Sequence, residues 1–313
     1  MSLSDHVRTL GRGPGRSRSL TQDEAFDAMS LMMQYDAPAE AVGALLMLLR
    51  MKGETAAEIA GLASAAQAGM PELPQVDLDW PSYAAGRTRG APWFLMSAKL
   101  IAQAGYRVLL HGWNGTDPKV RAGLHSAGIG IAQSYDDAAR LLDHDRIAYL
   151  PLETVHPALF RLLTLRDVLG LRSCINTVCR MLNPGAAPAS VQGVFHPSYR
   201  LLQADAGALL GWQNLTVIKG GGGEFERHPS KDIAAFGLRE GAPWACRFSA
   251  TADETRRLTT PQTSAPWDPA SADAFETEIV TGTAALALDT LGVRNSETVV
   301  RDLWGSRITA EVA

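Results

Sequence analysis

Short apolar runs alternate with helical stretches through the middle of the chain, and this alternation restricts the fold more than any other feature. Arg107-Val108-Leu109-Leu110-His111-Gly112, Gly128-Ile129-Gly130-Ile131 and Ile147-Ala148-Tyr149-Leu150 read as strands. Trp93–Ala104, Val120–Ala127 and Asp136–Leu142 read as the helices between them. The alternation at Val76-Asp77-Leu78-Asp79-Trp80 enters the same sheet, and Val191–Phe195 and Leu215–Lys219 continue it. Strands separated by helices predict a parallel sheet with helical crossovers. Open sheets of this kind bind ligands beyond the carboxyl ends of their strands. The loops at His111-Gly112, at His196 and at Lys219 are therefore expected on the functional edge.

The rest of the chain fits around that sheet. Residues 1–19 carry Arg8, Arg12, Arg16 and Arg18 among Gly and Ser without visible period, and read as a flexible basic arm. Thr21 followed by Glu24 is a capping-box start. Helices follow with a stripe of Phe26, Met29, Met32 and Met33, an apolar run over Ala41–Met51, and a third segment near Ala56–Ala68. Residues 20–70 are thus a small helical domain, and 71–313 an α/β domain entered through the prolines of 71–81. Residues 224–270 read as loops with one or two edge strands, and Asp273–Leu291 and Ser296–Trp304 as covering helices.

Composition excludes some functions. The net charge of −4 rules out nucleic-acid binding by bulk charge, so any anion site is a local patch. Cys174, Cys179 and Cys246 have no CxxC spacing and suit a reducing, cytoplasmic setting. No apolar run reaches a membrane span of roughly 18 residues, and no export signal is expected. There is no HExxH, no GxSxG and no paired Cys/His site.

Several residues invite a ligand. His156–Pro184 opens as an amphipathic helix through Leu159, Leu162, Leu163 and Leu165, and Gly170 stops it. Arg172 just beyond the stop reads either as a turn-bracing arginine or as an anion contact. Lys219 followed by Gly220, Gly221, Gly222 and Gly223 is either a phosphate cradle or a flexible turn. Arg87 and Arg89 at a strand-to-helix junction are either phosphate contacts or a solvated turn. His111 stands at a strand end, where a hydrogen-bonded structural role is the ordinary one. Glu224 and Glu226 are either a metal pair or two ordinary surface carboxylates, for which this spacing is common.

With these residues in view, the chain resembles the anthranilate phosphoribosyltransferase family, within the glycosyltransferase/nucleoside-phosphorylase fold group. The run LTQDEAFDAMSLMM, then VGALLMLLRMKGETAAEIAGLA, is similar to that family's helical domain. HPALFRLLTLRDVLGLRSCINTVCRMLNP resembles its segment ending FNxxGPLxNP, and QGVFHPSY and TGTAALAL are similar too. The resemblance implies a small helical domain that includes 156–169, a larger α/β domain with a mainly parallel central sheet, a cleft at the hinge, and a homodimer formed through the helices. It implies phosphoribosyl transfer from phosphoribosyl pyrophosphate (PRPP) to an aromatic amine, with a magnesium–pyrophosphate leaving group. Arg172 matches the residue that grips anthranilate, and His111-Gly112 the KHGN loop, with Leu110 in place of its lysine. The implied acceptor side is Arg172, His111, Gly112, Asn114 and His156, and the implied phosphate side is Lys219, Gly220–Gly223, Arg87 and Arg89.

The departures lie on the donor side. The family's GTGGD loop falls at Ser82-Tyr83-Ala84-Ala85-Gly86, and a Cβ there obstructs close approach to pyrophosphate. Its NxST motif falls at Pro92-Trp93-Phe94-Leu95. Its Asp-Glu magnesium pair falls at Phe225-Glu226, leaving Glu226 as the one candidate ligand. Together these losses argue against activity on anthranilate, although magnesium stays possible if the protein is catalytic. This pattern resembles a divergent paralogue group of the family, and two expectations follow: a transferase with an altered donor or acceptor, acting on a phosphorylated small molecule, or, as the resemblance to that group implies, a non-catalytic homodimer that binds nucleic acid or another polyanion in the same cleft. In the second, Arg87, Arg89, Arg107, Lys119, Arg121 and Lys219 line a groove and Arg12, Arg16 and Arg18 trail from it.

Overall fold

The computed structural model describes residues 1–84, 90–114, 118–256 and 273–312. Four helices open the chain: α1 (Leu3–Gly11), α2 (Gln22–Met33), α3 (Ala39–Lys52) and α4 (Ala56–Gln67). Thr21 and Thr55 cap α2 and α4, each accepting the N–H of the glutamate three residues on, at 3.2 Å. Each glutamate returns the bond to its threonine N–H, Glu24 at 2.9 Å and Glu58 at 2.8 Å. Ala25, Met29, Met32, Leu45, Leu46, Leu49, Ile59 and Leu62 are fully buried between the helices.

Residues 1–19 depart from the expected arm. Leu3 and Leu10 lie on one face of α1 and are buried, as is His6, whose Nε2 stands 2.7 Å from Asp27 Oδ2 on α2. Arg18 pairs with Glu24 at 2.6 Å. Burial of the two leucines holds α1 in place, while the arginines beside them face outward and hide the period.

The larger domain contains β1 (Leu78–Ser82), α5 (Phe94–Gln103), β2 (Val108–Gly112), α6 (Pro118–Ser126), α7 (Tyr135–Asp145) and β3 (Ile147–Pro151). The chain then returns to the helical domain through α8 (Leu152–Val155), α9 (Pro157–Thr164), α10 (Arg166–Leu169) and α11 (Ile175–Arg180). Gly170 ends α10 with a φ of 68°. Leu159 and Leu162 are buried in the same core as α2 and α4. Arg161 Nη2 donates to the carbonyls of Met32, Met33 and Gln34 at the end of α2. The remaining elements are β4 (Ala189–Val194), α12 (Tyr199–Leu209), β5 (Asn214–Lys219), β6 (Ile233–Arg239), β7 (Ala242–Phe248), α13 (Ala274–Thr290) and α14 (Ser296–Val312).

The strands form one sheet in the order β3-β2-β1-β4-β5-β6-β7. β1 to β5 are parallel, and the hairpin of β6 and β7 adds antiparallel at the edge. The strand expected at Gly128–Ile131 reduces to a single bridge between Ile131 and Tyr149. Gly128 there has a φ of 62°, a turn conformation and not an extended one. The order reverses at β1, between β2 and β4. β1 pairs with β2 along five residues but with β4 only at Leu78–Ala189 and Asp79–Ser190. Beyond those pairs the two strands part, which opens the crevice where sheets of this type hold ligands.

Candidate functional site

The carboxyl ends of β1 and β4 frame the site, and a carboxylate from the loop after β5 fills the gap between them. Glu224 is 1% exposed. Its Oε1 accepts from Ser82 Oγ and from the Ala84 N–H, both at 3.0 Å. Oε2 is buried without a hydrogen-bond partner among the described residues. Gly193 makes room for this loop, since a Cβ there meets the Glu224 carbonyl carbon at 2.0 Å. Two residues on, Glu226 is buried as well and accepts the Phe94 N–H at the start of α5, at 3.2 Å. Both carboxylates therefore tie backbone segments together. No group of three or more His, Cys, Asp or Glu suited to a metal occurs among the described residues.

The glycine run explains how the loop turns so tightly. The N–H groups of Gly220, Gly221 and Gly223 donate to the carbonyls of Val194, Glu226 and Gly220. A Cβ on Gly220 meets the Glu224 carbonyl oxygen at 1.5 Å, and Gly222 and Gly223 have φ of 64° and 96°. Those three amides are spent on the fold, so the run is not the open cradle of converging N–H groups that its composition suggests. Lys219, Gly220 and Gly221 do line one cavity, of about 260 Å3, together with Arg200, His228, Lys231 and Asp232.

Beneath β1 lies a buried polar cluster, in which His111 Nε2 and Asp79 Oδ1 approach without a well-formed hydrogen bond. Tyr83 OH stands 2.9 Å from His111 Nδ1, His111 Nε2 stands 3.0 Å from Asp79 Oδ1, and Ser190 Oγ donates to Asp79 Oδ2 at 2.7 Å. All four residues are buried. Burial pushes the Tyr83 hydroxyl far above its ordinary range, with Cys179, Tyr149 and Asp79 adding smaller effects in the same direction. Asn114 donates to Ser82 Oγ at 3.0 Å and accepts from Tyr149 OH at 3.1 Å. At Gly112 a Cβ meets the Ser82 carbonyl oxygen at 2.1 Å. His111, Gly112 and Asn114 thus support the β1 loop from below.

Arg172 lies elsewhere, on a cavity of about 240 Å3 lined by the segment around α11, the end of β4 and the start of α12. Arg50, Asn176, Arg180, Phe195, His196, Tyr199 and Gln203 share this cavity. Arg172 is half-buried, and its carbonyl accepts from Arg50 Nη1 at 2.5 Å. Tyr199 donates to Glu54 Oε2 at 3.3 Å, and burial pushes its hydroxyl up to about 12. Burial also pushes up the thiols of Cys174 and Cys179, which keeps both protonated and unreactive.

The structure therefore divides the residues expected on the acceptor side. Arg172 alone reaches this cavity. His156 commits both ring nitrogens to backbone, with Nε2 donating to the Ala66 carbonyl at 3.0 Å and Nδ1 accepting from the Leu159 N–H at 3.2 Å. Burial lowers its pKa, so it stays neutral and pins α9 to α4. Arg87 and Arg89 lie outside the described residues. Sequence reasoning passed over Arg180, Asn176 and Gln203. The signal for Arg180 was available: it is a lone charge inside the apolar run Val178-Cys179-Arg180-Met181-Leu182.

Comparison with known proteins agrees with this architecture. The family described as "Glycosyl transferase family, helical bundle domain" matches residues 4–69. An anthranilate phosphoribosyltransferase of Roseiflexus sp. (strain RS-1) is 34% identical over 230 residues, 71% of this chain and 65% of that protein. One from Caldivirga maquilingensis is 29% identical over 219 residues, 68% of this chain and 65% of that protein. The match thus spans just under two thirds of the length of these relatives. Among solved structures, anthranilate phosphoribosyltransferase from Thermus thermophilus superposes with a TM-score of 0.81 at 20% identity, covering 98% of this chain and 95% of that one. The Saccharomyces cerevisiae enzyme in complex with PRPP and Mg gives a TM-score of 0.76 at 14% identity, covering 98% and 93%. At these identities the structural likeness speaks for the fold.

Proposed function

From the premise that this chain belongs to the anthranilate phosphoribosyltransferase family, we propose that it is a phosphoribosyltransferase-like protein with a working acceptor cavity and a rebuilt donor side. In this reading it binds a small organic acid in the cavity of Arg172 and does not perform the magnesium-dependent transfer of its relatives. The observation that carries the reading is the Glu224 carboxylate, seated in the crevice between β1 and β4 and bonded to Ser82 and Ala84.

A magnesium–diphosphate group does not fit the described residues. Magnesium bound to phosphates takes one or two carboxylates with several waters around it. Glu224 offers a single spare oxygen in a buried position, and Glu226 serves the Phe94 amide. The nearby buried Arg180 interacts favourably with Glu224 and already offsets part of its charge. The acid side is better provided. A guanidinium holds a carboxylate by two parallel N–H bonds, which fixes orientation as well as affinity. Arg172 is that group here, and neutral Tyr199 and the ring of Phe195 give the ligand an aromatic wall.

A second reading, binding of a nucleic acid or another polyanion, draws on Lys219, Lys231 and Arg200, for which no ion pair with a carboxylate is found among the described residues. Other members of the expected groove are already neutralised: Arg107 pairs with Asp143 at 2.8 Å, and Arg121 with Glu153 at 2.7 Å. A homodimer through the helical domain is supported by exposed Phe26, Tyr35 and Met51, the last two 96% and 80% exposed.

Thermal shift on the full chain separates these readings. Benzoate or anthranilate should stabilise the protein, and Arg172→Gln should remove most of that effect. Equal stabilisation of the variant would sink the assignment. Salt-sensitive stabilisation by short DNA, with no response to acids, would replace it with the polyanion reading.

A further inference from the structure

We propose that Arg180 and Gln203 form an inner anion anchor in the Arg172 cavity, so that the ligand is a small organic dianion and not a monocarboxylate. The inference rests on the reading of this cavity as the acid site. In it, one carboxylate meets Arg172 and the second anionic group meets Arg180.

Arg180 is the last residue of α11 and is 6% exposed. Its Nε donates to the Gly193 carbonyl at 3.1 Å, and Nη1 donates to the Asn176 carbonyl at 2.9 Å and to the Asn176 side-chain oxygen. Asn176 in turn donates to the Tyr83 carbonyl at 3.2 Å, so the partner is itself held. These bonds fix the plane of the guanidinium. Nη2 has no hydrogen bond among the described residues, and no carboxylate lies within ion-pair distance of Arg180 there. Glu224 acts on the charge only from farther away. A buried cation fixed on one edge and open on the other can receive an anion, because its hydrogen bonds and the more distant Glu224 offset its desolvation only in part.

Gln203 is an independent observation pointing to the same cavity. It is 1% exposed and lines the cavity from α12. No hydrogen bond from its amide N–H groups is found among the described residues, so they are the atoms that can donate to an anionic group, while Oε1, an acceptor, is buried without a partner. A buried amide without partners is costly, and an anionic group that accepts from its N–H recovers part of that cost. Arg180 also stands where the family segment quoted above, FNxxGPLxNP, has its proline, so the guanidinium belongs to this chain and not to that motif. A cavity of about 240 Å3 can admit a single-ring diacid.

Calorimetric titration of the full chain with benzoate and with the three benzene dicarboxylates tests the inference. At least one dicarboxylate should bind about tenfold or more tightly than benzoate, the increment of one added charge-assisted contact. Arg180→Met should remove that preference and leave benzoate binding in place. Gln203→Leu should weaken the preferred dicarboxylate several-fold, and it decides the matter together with the wild-type preference if Arg180→Met fails to fold. Benzoate binding as tightly as every dicarboxylate would overturn the inner anchor and leave the proposed acid site standing. No binding of any acid would overturn both.

Discussion

At the residue scale, Glu224 and Gly193 act as a pair. The carboxylate holds the β1 loop by two hydrogen bonds, and it fits only because the facing strand has no side chain at Gly193. Gly193→Ala forces a methyl group into the backbone of Glu224 and Phe225, which cannot yield as a flexible side chain would. Overpacking of this kind costs about 1–3 kcal/mol and more where backbone must move. Urea unfolding of the variant should show a loss of at least about 2 kcal/mol. A loss under about 0.5 kcal/mol, the range of an ordinary surface substitution, would mean that the loop is not seated there. Composition made Glu224 legible as an acid near glycines, yet it suggested a metal ligand. Which way a carboxylate turns depends on distant partners, here Ser82 and Ala84, and the local sequence does not contain them. Arg172 was legible because a glycine stop places it at the start of a new segment. Arg180 was legible too, as a lone charge in the apolar run Val178–Leu182, and the burial of Cys179 and Met181 bears that signal out.

At the element scale, the start of α2 shows how a short charged segment can be structural. Glu24 accepts from Arg18 through both oxygens, at 2.6 and 2.7 Å, and also accepts the Thr21 N–H. The Arg18 hydrogen bonds hold the Glu24 carboxyl down at about 2, against the opposing effect of burial. A depressed carboxylate pKa contributes stability above its unfolded value, and that contribution is lost as pH falls through the folded value. Arg18→Ala should therefore be less stable than wild type at neutral pH, with the gap closing as pH falls from 4.5 toward about 2. Urea midpoints across that range check it, and a gap as large at the acid end as at neutral pH would contradict the assignment. The capping boxes and the strand–helix alternation were legible because they are local patterns. The first helix was not, because its two buried leucines are seven residues apart among arginines and glycines.

At the scale of the whole molecule, the fold and the site part company. The helical domain, the crossover helices and the parallel sheet match the fold of solved anthranilate phosphoribosyltransferases, while the crevice at the strand-order reversal is taken up by the protein's own carboxylate. The exposed aromatic and methionine side chains of the helical domain suit a second copy of the chain. Sedimentation equilibrium should give a dimer that Met51→Asp weakens, and a wild-type monomer at tens of micromolar would count against it. The most direct test of the central claim is a calorimetric titration of the full chain with PRPP, with and without magnesium. The account predicts no magnesium-dependent heat of binding, in a sample that still binds a small aromatic acid. Binding of PRPP that requires magnesium would contradict it, because the donor site would then be intact.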